Sequence, residues 1–309
     1  MDNNTKVRHH FHQHIKALTW LALILSLGQV SSVLVAGGII ADPSAAANQR
    51  PTILQTANGL PQVNIQTPSA AGVSRNTYSQ FDIAPQGAIL NNAHTSVQTQ
   101  LGGWIQSNPS LTGGTARVIL NEVNSSNPSL LHGYIEVAGD KAQVVVANPS
   151  GISCDGCGFI NANRATLTTG TPIINGGNLD GYLVERGILT IQGAGLDSSQ
   201  TNYTYIIARS VAVNAGIWAN DLKVTTGANS VNIDQTIITP ITGKGTTPTV
   251  AIDVASLGGM YAGKIHLVGT ENGVGVSNAG SIGASAGEFT LTADGALINT
   301  GQIYGDHLA

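Results

Sequence analysis

A short pattern that begins with Asn and continues to Gly recurs along this 309-residue chain. It occupies 278–282 as Asn-Ala-Gly-Ser-Ile and returns 21 residues later, at 299–303, as Asn-Thr-Gly-Gln-Ile. An earlier copy at 214–217 lies 64 residues before Asn278, close to three such steps. A fixed interval of this length is typical of solenoids, in which each coil stacks on its neighbours. The pattern therefore predicts a stacked repeat architecture.

Short aliphatic runs bounded by Asn, Gly, Asp and Thr indicate that the repeating unit is built from β-strands. Helices are disfavoured, because each of the 38 glycines costs about 1 kcal/mol inside a helix. We predict an all-β, right-handed parallel β-helix with an N-terminal cap and small extra-helical β-hairpins. A β-sandwich is the alternative, but it gives no reason for a constant 21-residue interval. The predicted strands are 144–146, 188–191, 205–207, 211–213, 222–224 and 231–233.

The ends of such a helix expose unpaired strand edges, so the N-terminal end needs a cap. The segment from Asn48 to about Leu90 is interrupted by several prolines and is the candidate cap. If all 262 residues after position 47 were helical, about a dozen coils would stack into a rod about 60 Å long. Because Ala309 directly follows a repeat unit, we expect the chain to be the N-terminal part of a longer solenoid.

The first 47 residues have the features of an extended secretory signal peptide. Lys6, Arg8 and Lys16 precede an apolar run over 17–27, and small residues follow at 45–47. A membrane anchor is the alternative, although the run is shorter than the roughly 20 residues that a span needs. We predict cleavage near Ala41 or Ala47, which leaves 48–309 as an exported secretion domain.

The charge content excludes several classes of function. Only 10% of residues are charged, the net charge is −4, and basic residues cluster only at the N-terminus, so no nucleic-acid partner is expected. The chain has no Gly-x-Ser-x-Gly nucleophile motif, and its Asp and Glu residues are isolated. The histidines beyond the leader are also scattered singly. They are His94, His132, His266 and His307. We therefore predict no enzyme activity, cofactor or metal site.

Two Asn-Pro motifs are the most distinctive local features of the chain. In each, Pro fixes its own φ and biases the preceding Asn toward an extended conformation, while the Asn side chain can accept a bond from the backbone two residues on. They can serve as corners of the coil, as sites read directly by a transporter, or as both. The motif residues are Asn108, Pro109, Ser110 and Leu111 in the first, and Asn148, Pro149, Ser150, Gly151 and Ile152 in the second.

With these motifs and the stretches around them, nearly all of 48–309 resembles the secretion domain of two-partner secretion exoproteins, the filamentous haemagglutinin, haemolysin and contact-dependent growth inhibition group. Ser110 and Ser150 stand where the family usually has Asn. The resemblance implies export through the periplasm to the cell surface by a TpsB-type outer-membrane transporter with periplasmic POTRA domains. It also implies that a longer protein would be an adhesin or toxin carrier with its own cell-surface receptor. The alternative is a stand-alone adhesive module that binds host cells or glycans.

Cys154 and Cys157 are the only cysteines of the chain. The residues themselves leave a local disulfide, two free thiols and a catalytic or metal-binding pair open, although a zinc site would lack two further ligands. The resemblance implies a disulfide, because related haemolysin-type proteins carry the same pair. A loop this short gives modest stabilisation.

Overall fold

The computed structural model of this chain describes residues 38–308, where nearly every regular element is a β-strand. One 3-10 helix spans Ala47–Gln49. No helix in 38–308 has the length and apolarity needed to cross a bilayer. The strands are β1 (Ile39–Ala41), β2 (Thr52–Gln55), β3 (Pro61–Asn64), β4 (Val73–Phe81), β5 (Ala88–Asn92), β6 (Val97–Thr99), β7 (Gly103–Ile105), β8 (Val118–Val123), β9 (Ser129–Leu131), β10 (Tyr134–Gly139), β11 (Ala142–Ala147), β12 (Ile152–Ile160), β13 (Ala162–Thr168), β14 (Thr171–Asn175), β15 (Asn178–Val184), β16 (Ile188–Asp197), β17 (Tyr203–Ala208), β18 (Ser210–Val213), β19 (Gly216–Trp218), β20 (Asp221–Thr226), β21 (Asn229–Asn232), β22 (Ile238–Pro240), β23 (Val250–Val254), β24 (Gly259–Ala262), β25 (Lys264–Gly269), β26 (Gly275–Asn278), β27 (Ser281–Ala293), β28 (Leu297–Asn299) and β29 (Gln302–Leu308).

Three parallel sheets run along a common axis, and the chain visits them in turn. Sheet I stacks β3, β5, β10, the end of β12, the end of β16, β19, β24 and the starts of β27 and β29. Sheet II stacks β4, β8, β11, β13, β17, β20, β25 and the ends of β27 and β29. Sheet III stacks β9, the starts of β12 and β16, β18, β23, β26 and β28. The predicted parallel β-helix is confirmed.

Columns of aliphatic side chains fill the interior. One column on sheet II has five members in register, each at most 1% exposed, and burial of such a side chain contributes about 1.5–3 kcal/mol. Side chains of similar size stack at equal depth in successive coils, which explains why Val, Ile and Leu dominate over aromatic residues. The column comprises Val146, Leu167, Ile206, Val224 and Leu267.

The coils differ in length more than the repeat pattern predicts. The 21-residue interval holds at the C-terminal end, where Ile282 pairs with Ile303 and the Asn278 side chain donates to that of Asn299 over 2.8 Å. The prediction that 214–217 lies three coils before Asn278 is wrong. Ile217 pairs with Met260, and Met260 pairs with Ile282, so only two coils separate them. The strands β21 and β22, inserted between these coils, account for the extra length.

The longest parallel ladder contains nine strands, not the dozen expected for an uninterrupted helix, and so measures about 38 Å. The number of strands is smaller than expected because some residues form insertions that lie outside the coils. The predicted extra-helical hairpins are present as an antiparallel sheet of β14, β15, β21 and β22, and as a separate β6–β7 pair. The four-stranded sheet packs on outward apolar residues of sheet II, including Leu120, Val145 and Ile207. The β6–β7 pair is held by the Glu136 carboxylate, which accepts the backbone N–H groups of Gln100 and Leu101.

The N-terminal cap is formed by two antiparallel strands. Strand β2 pairs with β3, the first strand of sheet I, and β1 pairs with β4, the first strand of sheet II. The cap therefore begins at Ile39, whereas β4 and β5, inside the segment predicted as the cap, already belong to coils. A leader that ended at residue 47 would include β1.

Candidate functional site

The first Asn-Pro motif forms the corner between sheets I and II. The buried Asn108 amide donates to the carbonyl oxygens of Ile65 and Asn91, each over 2.9 Å, and these acceptors belong to two successive coils. Its Oδ1 accepts the Ser110 N–H over 3.0 Å, and its carbonyl accepts the N–H of the buried Leu111 over 3.2 Å. Asn108 thus closes the turn and joins the first two coils.

The second motif forms a corner between sheets II and III with the same chemistry. Asn148 is fully buried; its amide donates to the carbonyl oxygen of Asn127 and the Oγ of Ser129, both over 3.0 Å. Its Oδ1 accepts the Ser150 N–H over 2.9 Å. Its own N–H donates to the Thr168 carbonyl of the next coil over 2.9 Å. Asn148 therefore links three consecutive coils.

The turn bond at each third position uses a backbone N–H, which every residue except proline supplies. This explains how Ser110 and Ser150 stand in the family's Asn positions without loss of the turn. Gly151 adopts φ of +116°, a conformation that favours glycine, and Ile152 then begins β12 as a buried residue.

Corner asparagines elsewhere in the helix bond in the same manner. Asn161 donates to the carbonyl oxygens of Val137 and Gly139, and Asn220 donates to those of Ser199 and Thr201, all within 2.7–2.9 Å. The Asn side chains of the two motifs are therefore members of a structural set. What distinguishes the motifs is the proline that follows: Pro109 is exposed and Pro149 is half-buried.

The two cysteines lie where β12 passes from sheet III to sheet I. Cys154 and Cys157 form a disulfide with a Cα–Cα distance of 5.3 Å, and both are at most 1% exposed. Between them, the register with β16 shifts, and Gly156 adopts φ of +80°. The disulfide closes a bulge in the core, and its short loop stabilises the fold by about 2 kcal/mol in the chain-entropy model. Among the residues that the structure describes, no three His, Cys, Asp or Glu side chains cluster as metal ligands.

A concave surface surrounds Pro149 on the outside of the corner. Two adjoining concavities, about 440 and 300 Å³, both include Pro149 and Arg186, and we call them together the corner groove. The first extends over Val123 and residues 124–126 of the preceding coil. The second is lined by Thr169, Thr171, Leu183, Glu185 and Lys244.

Charges at this corner are paired with one exception. Lys244 donates to Glu185 over 2.8 Å. The guanidinium of Arg209 donates two bonds to the Glu271 carboxylate, and this bonding raises the pKa of Arg209 above its usual value. Arg186 is exposed, and no carboxylate of 38–308 lies within ion-pair distance of it. No motif or repeat of the sequence points to Arg186. The scarcity of basic residues, 13 in the whole chain, is the signal that would have drawn attention to it.

A capped parallel β-helix with an Asn-Pro turn at two of its corners defines a class of secretion module. The family described as "TPS secretion domain" matches residues 37–299. The chain belongs to this family, and the predicted secretion module is confirmed. Domains of the family are recognised by cognate TpsB outer-membrane transporters, and their exoproteins are secreted across the outer membrane.

The chain is also similar to part of several much longer proteins. It is 59% identical over 300 residues to "Toxin CdiA" of Yersinia pestis, covering 96% of this chain and 9% of that protein. It is 48% identical over 292 residues to "tRNA nuclease CdiA-2" of Burkholderia pseudomallei, covering 92% of this chain and 9% of that protein. The word nuclease in that name describes the whole relative, and this chain matches only 9% of its length.

Among solved structures, the chain is similar to the filamentous hemagglutinin secretion domain, with a TM-score of 0.77 and 32% identity. The similarity covers 88% of this chain and 98% of that one. The two chains therefore share one fold over most of their length.

Proposed function

We propose that this chain leads a much longer exoprotein out of the cell, and that the periplasmic POTRA domains of its cognate transporter bind it. The supporting observation is that the Asn and the Pro of each motif have different surroundings at the corner. The Asn108 and Asn148 side chains form hydrogen bonds within the fold, while Pro109 and Pro149 lie at the surface. The motifs therefore act through corner formation and present a rigid turn to the transporter. The attached protein would be an adhesin or a toxin carrier.

Folding of the helix supplies a driving force for export. Each coil that leaves the barrel pairs with the coil before it and buries another set of aliphatic side chains, as in the column from Val146 to Leu267. This gain opposes return of the chain into the periplasm. The cap provides the first surface for this addition, because β2 and β1 pair with the first strands of sheets I and II.

Deletion of Asn108–Leu111 or of Asn148–Ile152 should leave the chain in the periplasm. The measurement is the partition of the full chain between periplasm and medium in cells that carry the cognate transporter. A deletion of similar length at 245–249, in a mostly exposed loop, is the control and should be exported normally. Normal export of both motif deletions would contradict the proposal.

We also propose that the signal peptide is removed before Ile39, because β1 is part of the folded domain. Ala36, Gly37 and Gly38 supply small residues for the cleavage site immediately upstream. The cleavage positions near Ala41 and Ala47 would separate β1 from the strand that it covers.

A second candidate function, adhesion to neutral glycans, is favoured by an uncovered part of sheet I. Trp218, Tyr261 and Tyr304 are 37–48% exposed and lie in one column, with the rings of Trp218 and Tyr261 nearly parallel at 22° and 6.4 Å apart. Each ring lies over a glycine of its own or the preceding strand, which leaves the outer ring face to solvent. Such faces suit the flat apolar side of a sugar ring.

If this stripe binds glycans, Trp218→Ala should weaken binding of the full chain to neutral oligosaccharides about tenfold, a loss of about 1.4 kcal/mol. An oligosaccharide array followed by titration measures it. Trp104→Ala is the matched control, since Trp104 is 68% exposed on the β6–β7 pair. No binding by the unaltered chain would refute the adhesive function and leave the secretion function untouched.

A further inference from the structure

We infer that the corner groove is the surface of this domain that docks on the transporter, and that it receives a segment of the periplasmic domains bearing a carboxylate group. The inference rests on the proposed function and deepens it. Its first support is geometric: both concavities of the groove are lined by Pro149, which follows the buried Asn of its motif. The Pro149 side chain, and not that of Asn148, is therefore available for recognition.

The second support is charge complementarity. The groove contains three charged side chains, of which Glu185 and Lys244 neutralise each other over 2.8 Å. Arg186 remains without a carboxylate among residues 38–308, so the groove carries one net positive charge on a chain whose net charge is −4. A guanidinium offers several donors in a planar fork and binds a carboxylate through two parallel bonds. The partner that fits is an acidic segment.

The third support is continuity across coils. Val123 precedes the corner of one coil, Pro149 lies in the next corner of the same edge, and Arg186 lies in the corner after that. The groove therefore exists only when successive coils have stacked. Recognition at this surface would select domains whose first coils are folded, whereas a wholly unfolded chain would lack it.

The test is binding of the full chain, purified from the periplasm of cells without the transporter, to the isolated periplasmic domains of the cognate transporter. Arg186→Glu should weaken binding about tenfold or more, because it places like charges together. Arg186→Lys keeps the charge but loses the two parallel bonds, so it should weaken binding less than Arg186→Glu does. Lys141→Glu makes the same charge reversal at an exposed site on another corner and should have no effect. Thermal unfolding of each variant should match that of the unaltered chain, because the Arg186 side chain is exposed and forms no ion pair with the residues that the structure describes.

The salt dependence of binding measures the electrostatic contribution of Arg186 separately. Affinity of the unaltered chain should fall as salt screens the pair, and Arg186→Gln should show a smaller salt dependence. If Arg186→Glu and Arg186→Gln bind as tightly as the unaltered chain, the groove is not the docking surface, although the proposed function stands. If the unaltered chain itself does not bind, the proposed function fails. Equal weakening by Lys141→Glu would show a general charge effect and overturn the inference.

Discussion

Replacement of Asn148 by alanine should lower the free energy of unfolding by about 3–5 kcal/mol. The side chain is fully buried and makes three hydrogen bonds, to Asn127, Ser129 and the N–H of Ser150. Alanine removes all three bonds. Loss of the bonds to the exposed Asn127 and the half-buried Ser150 costs about 0.5–1.5 kcal/mol each, and the buried Ser129 hydroxyl left without this partner costs about 1–3 kcal/mol. Urea unfolding followed by far-ultraviolet circular dichroism measures the change.

Two variants control this prediction. Asn163→Ala makes the same substitution at an exposed position and should change stability by less than about 0.5 kcal/mol. Ser150→Asn restores the residue usual in the family and keeps the backbone N–H that Asn148 binds, so the turn should persist. If Asn148→Ala unfolds at the same urea concentration as the unaltered chain, the corner does not hold the coils together. Recognition by the transporter would then be the better account of the motif.

Removal of β1 should have an effect of similar size. We expect a chain of residues 48–309 to be about 3–5 kcal/mol less stable than one of 38–309, and to associate through the exposed edge of β4. Ile39 is 8% exposed and packs in the central core, so its loss alone costs about 1.5–3 kcal/mol, and the bonds between β1 and β4 add to this. An uncovered edge strand is a template for pairing between chains. Urea unfolding and size-exclusion chromatography measure the two effects.

Strand β1 contains two neighbouring isoleucines, of which one is buried and the other is exposed. Ile39→Ala should destabilise the domain by about 2–4 kcal/mol, whereas Ile40→Ala, at a side chain 50% exposed, should have little effect. Mass spectrometry of the exported chain should find an N-terminus before Ile39. Equal stability of the two lengths, with an N-terminus near residue 48, would show that β1 is not part of the mature cap.

The aliphatic runs and the spacing of Asn and Gly predicted the fold class, because a stacked coil repeats the same requirements at each turn. Five of the six predicted strands lie in the helix, and the sixth, at 231–233, overlaps β21 in the extra-helical sheet. The spacing misled us at 214–217, where an insertion happened to approximate one interval. A sequence interval counts residues and does not show whether they remain in the coil.

The position of each motif in the fold was beyond the reach of the sequence. Local turn chemistry predicted that Asn108 and Asn148 bond within their own turns, because a side chain reaches the backbone two residues away in any context. The bonds to other coils join residues 19–43 positions apart, and only the stacking register brings those partners together.

The amino-acid sequence by itself therefore determined the all-β class, the parallel helix, the corner turns and the family, since these depend on residue types at regular intervals. The tertiary structure alone decided where the cap begins, how many coils the insertions leave, and which side chains reach the surface. Ile39 became part of the domain through its pairing with β4, and Arg186 was placed beside Pro149 through the stacking of one coil on the next. Both placements depend on contacts between residues distant in the chain, which no local pattern encodes.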